Sequence, residues 1–121
     1  MSRRIIVTGS RTWTDEKRIR EALHYYRVLF GRSATVVHGE CPYGADRLAG
    51  LVAVEYGMSV ETHPAQRDLH GKRAGFLRNA HMVELGADVC LAFIKANSKG
   101  ATMCANLAEK AGITTQRFRE D

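Results

Sequence analysis

Two glycine-bearing segments of this 121-residue chain carry the residue types that proteins use to hold phosphate groups. In the first, Gly9, Ser10 and Arg11 follow a short apolar run, so that backbone amides and a guanidinium would face the same anion. The second combines a glycine, a hydroxyl and a cation at a predicted helix start, in Lys99, Gly100, Ala101 and Thr102. An ordinary capped loop, with Thr102 as N-cap, is the alternative for the second segment. Neither segment matches the GxGxxG or GxxxxGK[ST] motif.

A third segment, residues 38–46, places two glycines and a proline between a β-branched run and a helix. Gly39 and Gly44 indicate a loop of defined shape. Asp46 is suited to binding ribose hydroxyls, to ordering an arginine or to capping its own helix. Cys41 is interpreted as a structural residue of the turn.

His38 and His63 end two predicted strands and are expected to meet at one edge of the sheet. Together with Cys41 they offer a metal site as a minor alternative, but their spacing is irregular. We therefore expect neither a metal ion nor a cofactor.

Residues 66–79 hold four cations against one acid and open a further helix. Such a run is usually a solvated face, but here it lies where a ligand would bind. Arg78 and Asn79, in the first turns of the helix, are expected to point towards that ligand.

These segments follow strands predicted at residues 4–8, 34–38, 58–62 and 89–94, and a fifth, more polar strand is predicted at 113–118. Helical periodicity fills the gaps between them. The alternation predicts one α/β domain over residues 1–121, with a Rossmann-like open parallel sheet of about five strands and helices on both faces. In such sheets ligands bind beyond the carboxyl ends of the strands.

The helices are predicted from their caps and apolar spacing. Thr12 or Thr14 is expected to cap the first helix. The third helix is expected to bury Phe76, Leu77, Ala80 and Val83, and the fourth to turn Met103, Cys104, Leu107, Ala108 and Ala111 inward.

The composition narrows the class of partner. The formal net charge is +5, and arginine supplies 13 of the 18 cations, which favours an anionic partner. The odd count of three cysteines fits a reducing compartment, and the absence of a long apolar run indicates a cytoplasmic protein without membrane contact.

Trp13 could stack on a ligand base or pack at the helix start. Tyr25, Tyr26 and Leu29 offer apolar surface for a homodimer.

Taken together, the chain resembles the YspA-type (cpYpsA-related) branch of the SLOG superfamily, which is named after the Smf/DprA and LOG proteins. The resemblance extends from about Arg4 to Gly112. It is carried by five stretches: Val7-Thr-Gly-Ser-Arg11, residues 38–46, His63-Pro64, Arg78-Asn79-x-x-Met82 and residues 86–93. It implies a Rossmann-like fold, a nucleotide or ADP-ribose-like ligand, frequent dimers, and a bacterial or phage origin.

The resemblance also bears on activity. LOG-like phosphoribohydrolases use an arginine and a glutamate, and Arg78 with Asn79 matches the arginine motif. The stretch that corresponds to the glutamate loop, residues 98–104, has no acid, and the next one is Glu109. The leading hypothesis is therefore binding or sensing of a nucleotide-type ligand. A nucleotide N-glycosidase using Arg78, Glu40 or Asp46 is the alternative, and DprA-like DNA binding is the third hypothesis.

Overall fold

The computed structural model describes residues 3–31 and 33–120. Its strands are β1 (Arg4–Gly9), β2 (Thr35–His38), β3 (Ser59–Thr62), β4 (Val89–Lys95) and β5 (Thr114–Glu120). Its helices are α1 (Glu16–Phe30), α2 (Gly44–Glu55), α3 (Arg67–His70), α4 (Ala74–Glu84) and α5 (Lys99–Lys110), with a 3-10 turn at Gly71–Arg73 between α3 and α4.

The five strands form one parallel sheet in the order β3-β2-β1-β4-β5. The predicted fold class is thus confirmed, including the edge position of the last strand. The chain adds strands on one side of β1 as far as β3 and then crosses to the other side for β4. This reversal leaves a crevice beyond the carboxyl ends of β1 and β4, where ligands bind in sheets of this type.

Alternating side chains divide the core into two layers. Ile5 and Val7 of β1 face α1 and α2, whereas Ile6 faces α4 and α5. Residues at the N-terminal ends of α2 and α4 therefore approach the crevice from opposite faces of the sheet. None of the helices in residues 3–31 and 33–120 is long and apolar enough to cross a membrane.

Several helix details differ from the sequence-based expectations. Asp15, not Thr12 or Thr14, is the N-cap of α1, because its carboxylate accepts a hydrogen bond from the Arg18 amide. Trp13 is buried, with its ring edge-on to Phe93 and its Nε1 donating to the Asp15 carbonyl, so it cannot stack on a ligand.

The expected buried face of α4 was also wrong in part. Phe76 and Leu77 remain 43% and 39% exposed, whereas Met82 and Val83 are buried. Apolar spacing alone does not reveal which of two neighbouring faces meets the sheet. In α5, Ala111 follows the last helical residue and is exposed. In α1, Tyr26 is buried, which leaves Tyr25 and Leu29 exposed.

Candidate functional site

A cleft of about 870 Å³ opens at the carboxyl edge of the sheet. The loops after β1, β2, β3 and β4 and the first turns of α4 and α5 line it. Its volume lies within the range of about 300–1,000 Å³ that is usual for small-molecule sites.

The cleft brings together ten of the residues predicted from the sequence. Six come from the first two loops and α2: Gly9, Ser10, Arg11, Gly39, Glu40 and Asp46. Four come from α4 and α5: Arg78, Asn79, Gly100 and Ala101. Five other predicted residues do not line it: His38, Gly44, His63, Lys99 and Thr102.

Ser10 joins the loops that follow β1 and β4. Its Oγ accepts from the Lys95 amide at 2.8 Å, and its carbonyl accepts from the Ala45 amide at 3.1 Å. Because the Ser10 hydroxyl is bonded to the Lys95 backbone and Ser10 is buried, its role in the described structure is to hold the two loops together.

The glycines beside Ser10 serve packing rather than ligand approach. A Cβ on Gly9 would overlap that of Ala45 and lie 2.8 Å from the Phe93 carbonyl oxygen. Gly44 has a φ of +70°, and a Cβ there would overlap the Ser10 carbonyl. These two glycines let α2 approach the end of β1, a contact that the sequence does not reveal.

Arg78 connects three segments of the cleft. Its guanidinium donates to the Gly39 carbonyl at 2.6 Å and to the His63 carbonyl at 3.2 Å. Its Nε donates to Asn79 Oδ1 at 2.7 Å, and Asn79 Nδ2 donates to the Gly100 carbonyl at 3.3 Å. Arg78 and Asn79 thus tie the loops after β2 and β3 to the start of α5.

Asp46 orders the loop after β2. The side chain is buried and its Oδ2 accepts from the amides of Gly39 at 3.2 Å and Cys41 at 3.3 Å. The N-cap of α2 is Tyr43, so the interpretation of Asp46 as its own helix cap was wrong. Burial raises the pKa of the Asp46 carboxyl, and burial also lowers the pKa of the neighbouring His38 imidazole.

His38 and His63 meet through their backbones only. The His63 amide donates to the His38 carbonyl at 2.9 Å. The His38 Nδ1 accepts from the Glu40 amide at 2.9 Å, whereas the His63 Nε2 lies 2.6 Å from Glu61 Oε2. Within the described parts of the chain, no three His, Cys, Asp or Glu side chains are grouped so as to hold a metal ion.

The start of α5 lines the cleft with Gly100 and Ala101. Its N-cap, Ser98, makes no side-chain bond to the helix. The first backbone bond of the helix runs from the Thr102 amide to the Ser98 carbonyl, so the amides of the first turn are left without a helical acceptor. A Cβ on Gly100 would meet no atom within 4 Å. The interpretation of Thr102 as the N-cap was wrong.

Within residues 3–31 and 33–120, two residues other than glycine adopt positive φ values, and both line the cleft. They are Glu40, at 56°, and Ala96, at 55°. For a residue with a Cβ this conformation costs of the order of 1 kcal/mol or more, and such strain clusters at functional sites.

Other lining residues were not singled out as ligand contacts, and among them are two cations and two aromatic residues. Arg67 and Lys72 were visible only as members of the charged run, and Tyr43 and Phe76 only as a loop residue and an expected core residue. All four are exposed: Tyr43, Arg67, Lys72 and Phe76.

The fold and the cleft define a Rossmann-like α/β domain with a cleft at the strand-order reversal. The chain belongs to the YspA, cpYpsA-related SLOG family, whose model (YAcAr) matches residues 3–70. Membership of this family suggests a role in binding a nucleotide-related ligand.

Two known proteins are similar to the chain. The Gene 61 protein of Mycobacterium phage D29 is 42% identical over 123 residues, which covers 96% of this chain and 96% of that protein. The C-terminal domain of the PF1911 hydrogenase from Pyrococcus furiosus has a similar fold, with a TM-score of 0.50 at 16% identity, over 95% of this chain and 90% of that one.

Proposed function

We propose that the cleft binds a nucleotide or a nucleotide-derived ligand, with a phosphate group at the start of α5. The observation that carries the proposal is the open space at Gly100. Gly9, Gly39 and Gly44 of the first two loops meet packed atoms at the Cβ position. Gly100, by contrast, meets none, and its amide belongs to the uncapped first turn of α5. An anion fits there because free amides and the helix dipole both favour negative charge.

Charge on the surrounding elements supports an anionic ligand. Arg11, Arg67 and Lys72 line the cleft and are exposed, and none forms an ion pair within residues 3–31 and 33–120. The guanidinium of Arg78, by contrast, is already bonded to two carbonyls. Arg78 therefore acts here as a positioning residue for the loops.

Titration calorimetry with nucleoside monophosphates, ADP-ribose and NAD tests the proposal. The decisive variant is Gly100→Ala, because its methyl group enters the space proposed for the phosphate and meets no protein atom. We expect unchanged thermal stability and a loss of affinity of tenfold or more. Unchanged affinity would place the ligand elsewhere. Lys110→Ala, in the last turn of α5, is the control for the helix itself.

The same series separates a small-molecule site from DNA binding. An affinity for single-stranded DNA that falls steeply as salt rises, without any small-nucleotide binding, would favour the nucleic-acid hypothesis. Binding of one small nucleotide that persists at moderate salt supports the proposed small-molecule site in the cleft.

Glu40 supports a second candidate function, hydrolysis of the N-glycosidic bond. It is an exposed carboxylate in a strained backbone conformation on the cleft wall. In that reaction water adds to the ribose carbon, the carbon–nitrogen bond breaks and the base leaves with a proton. Release of free base, abolished in Glu40→Gln with binding retained, would establish the enzyme. Binding without release leaves a binding or sensing module.

A further inference from the structure

Two aromatic side chains at the mouth of the cleft stand out by their exposure. Tyr43 is 67% exposed and Phe76 is 43% exposed, and both line the cleft. By contrast, Trp13 and Phe93 in the core are 2% and 0% exposed. An exposed ring loses the hydrophobic stabilisation that burial would give it, unless a ligand covers it.

The topology places these two rings on opposite walls. Tyr43 is the N-cap of α2, which packs against one face of the sheet. Phe76 lies in the first turn of α4, which packs against the other face. The crevice between the carboxyl ends of the strands separates them.

The contents of the cleft restrict what can lie between the rings. The uncapped start of α5 lines the cleft, and so do the exposed cations Arg67 and Lys72. A purely apolar partner would leave these groups desolvated without an anion, and a simple phosphate would leave the rings uncovered. The combination suits a ligand with a flat aromatic ring at one end and a phosphate at the other.

Building on the proposed function, we propose that Tyr43 and Phe76 hold the nucleobase at the mouth of the cleft. The base then lies outward and the phosphate inward, at Gly100. Stacking on an aromatic side chain tolerates any base because each has a π face, so this pair contributes affinity for the base rather than choice among bases.

The experiment compares ligands with and without a base. Calorimetry is run with the four nucleoside 5'-monophosphates and with ribose 5-phosphate, on the full chain and on Tyr43→Ala and Phe76→Ala. Stacking on an aromatic side chain contributes about 1–3 kcal/mol per base. Each alanine variant should therefore lower the affinity for the monophosphate about 5- to 150-fold. Ribose 5-phosphate should bind each variant as it binds the unmodified chain.

Matched variants distinguish loss of stacking from loss of the fold. Tyr43→Phe and Phe76→Tyr keep a ring and should retain affinity. Tyr25→Ala removes a similarly exposed ring outside the cleft and should leave the affinity for the monophosphates unchanged. Thermal melting of all variants establishes that each is folded.

The outcomes separate the two proposals. If none of the monophosphates, ADP-ribose, NAD and ribose 5-phosphate binds, the proposed function itself is wrong. If monophosphates bind but the alanine variants leave their affinity unchanged, or weaken ribose 5-phosphate equally, only the stacking proposal is overturned.

Discussion

The guanidinium of Arg78 occupies the space where a side chain on Gly39 would lie, and it donates to the carbonyl of the same residue at 2.6 Å. Residue 39 must be glycine for this contact, although its φ does not require one. Gly39 therefore serves to position the Arg78 side chain, and substitution of Gly39 tests this contact directly.

The variant Gly39→Ala should displace the Arg78 guanidinium and break its bonds to two loop carbonyls. Hydrogen bonds to charged groups contribute about 1.5–3 kcal/mol, so the free energy of unfolding should fall by about this amount. Urea denaturation measures it, with Gly100→Ala as the glycine control that should retain full stability. Equal stability of the two variants would contradict the proposed role of Gly39.

Cysteine reactivity should report on the cleft. Cys41 is partly exposed and lines the cleft, whereas Cys90 and Cys104 are buried. A hydrogen bond with Cys104, together with burial, raises the pKa of the Cys90 thiol and makes it less nucleophilic. With a disulfide reagent we expect one fast-reacting thiol in the native protein, missing in Cys41→Ser and slowed by bound ligand. Fast labelling of a second thiol would show that β4 and α5 open readily.

The stability of the protein should depend on Glu61 at low pH. A hydrogen bond with Arg4, followed by one with His63, lowers the Glu61 pKa from 4.5 to about 2. A depressed pKa means that the ion pair contributes fully above about pH 4.5 and is lost as the pH falls towards 2. The pair is partly exposed, so its contribution is about 1 kcal/mol or less.

Urea titrations between pH 2 and pH 5 measure this contribution. Glu61→Gln should flatten the decline in stability across that range. Glu21→Gln, which removes an exposed carboxylate on α1, should leave the decline as it is. A steeper decline in Glu61→Gln would show that ionised Glu61 destabilises the folded protein instead of stabilising it.

Trp13 gives a spectroscopic test of the core. It is the single tryptophan, and only 2% of it is exposed. Its emission in the native state should be blue-shifted relative to the unfolded chain, resist iodide quenching, and stay unchanged when a nucleotide binds. Trp13→Ala should cost about 3–5 kcal/mol of stability, as large aromatic truncations in cores do. Strong quenching by a bound nucleotide would place Trp13 in the site.

The strands could be predicted because their chemistry is local. Val89 to Ile94 is continuously apolar, as a strand covered on both faces must be, and glycine follows several helices where their left-handed caps require it. The carboxyl-edge location of the cleft then follows from the parallel order alone.

The roles of individual cleft residues could not be predicted in the same way, because they depend on contacts between distant segments. The sequence marks Gly9 as a glycine after a strand, but only the folded chain shows the Ala45 side chain against it. The position of Asp46 in the sequence is typical of a helix cap, but in the folded chain its carboxylate accepts from two amides of the preceding loop. Phe76 fits a helical core pattern, yet it faces the cleft.

The central position of β1 determines the order in which the protein can be assembled. Ile5 pairs with Val36 on one side and with Val89 on the other, so the first of these five strands to be synthesised is the one that joins both halves of the sheet. Contacts such as Arg4 to Asp88 link positions 84 residues apart, and closing so long a loop slows folding. During translation, the loops after β1 and β2 emerge first, whereas the proposed phosphate end emerges only with α5.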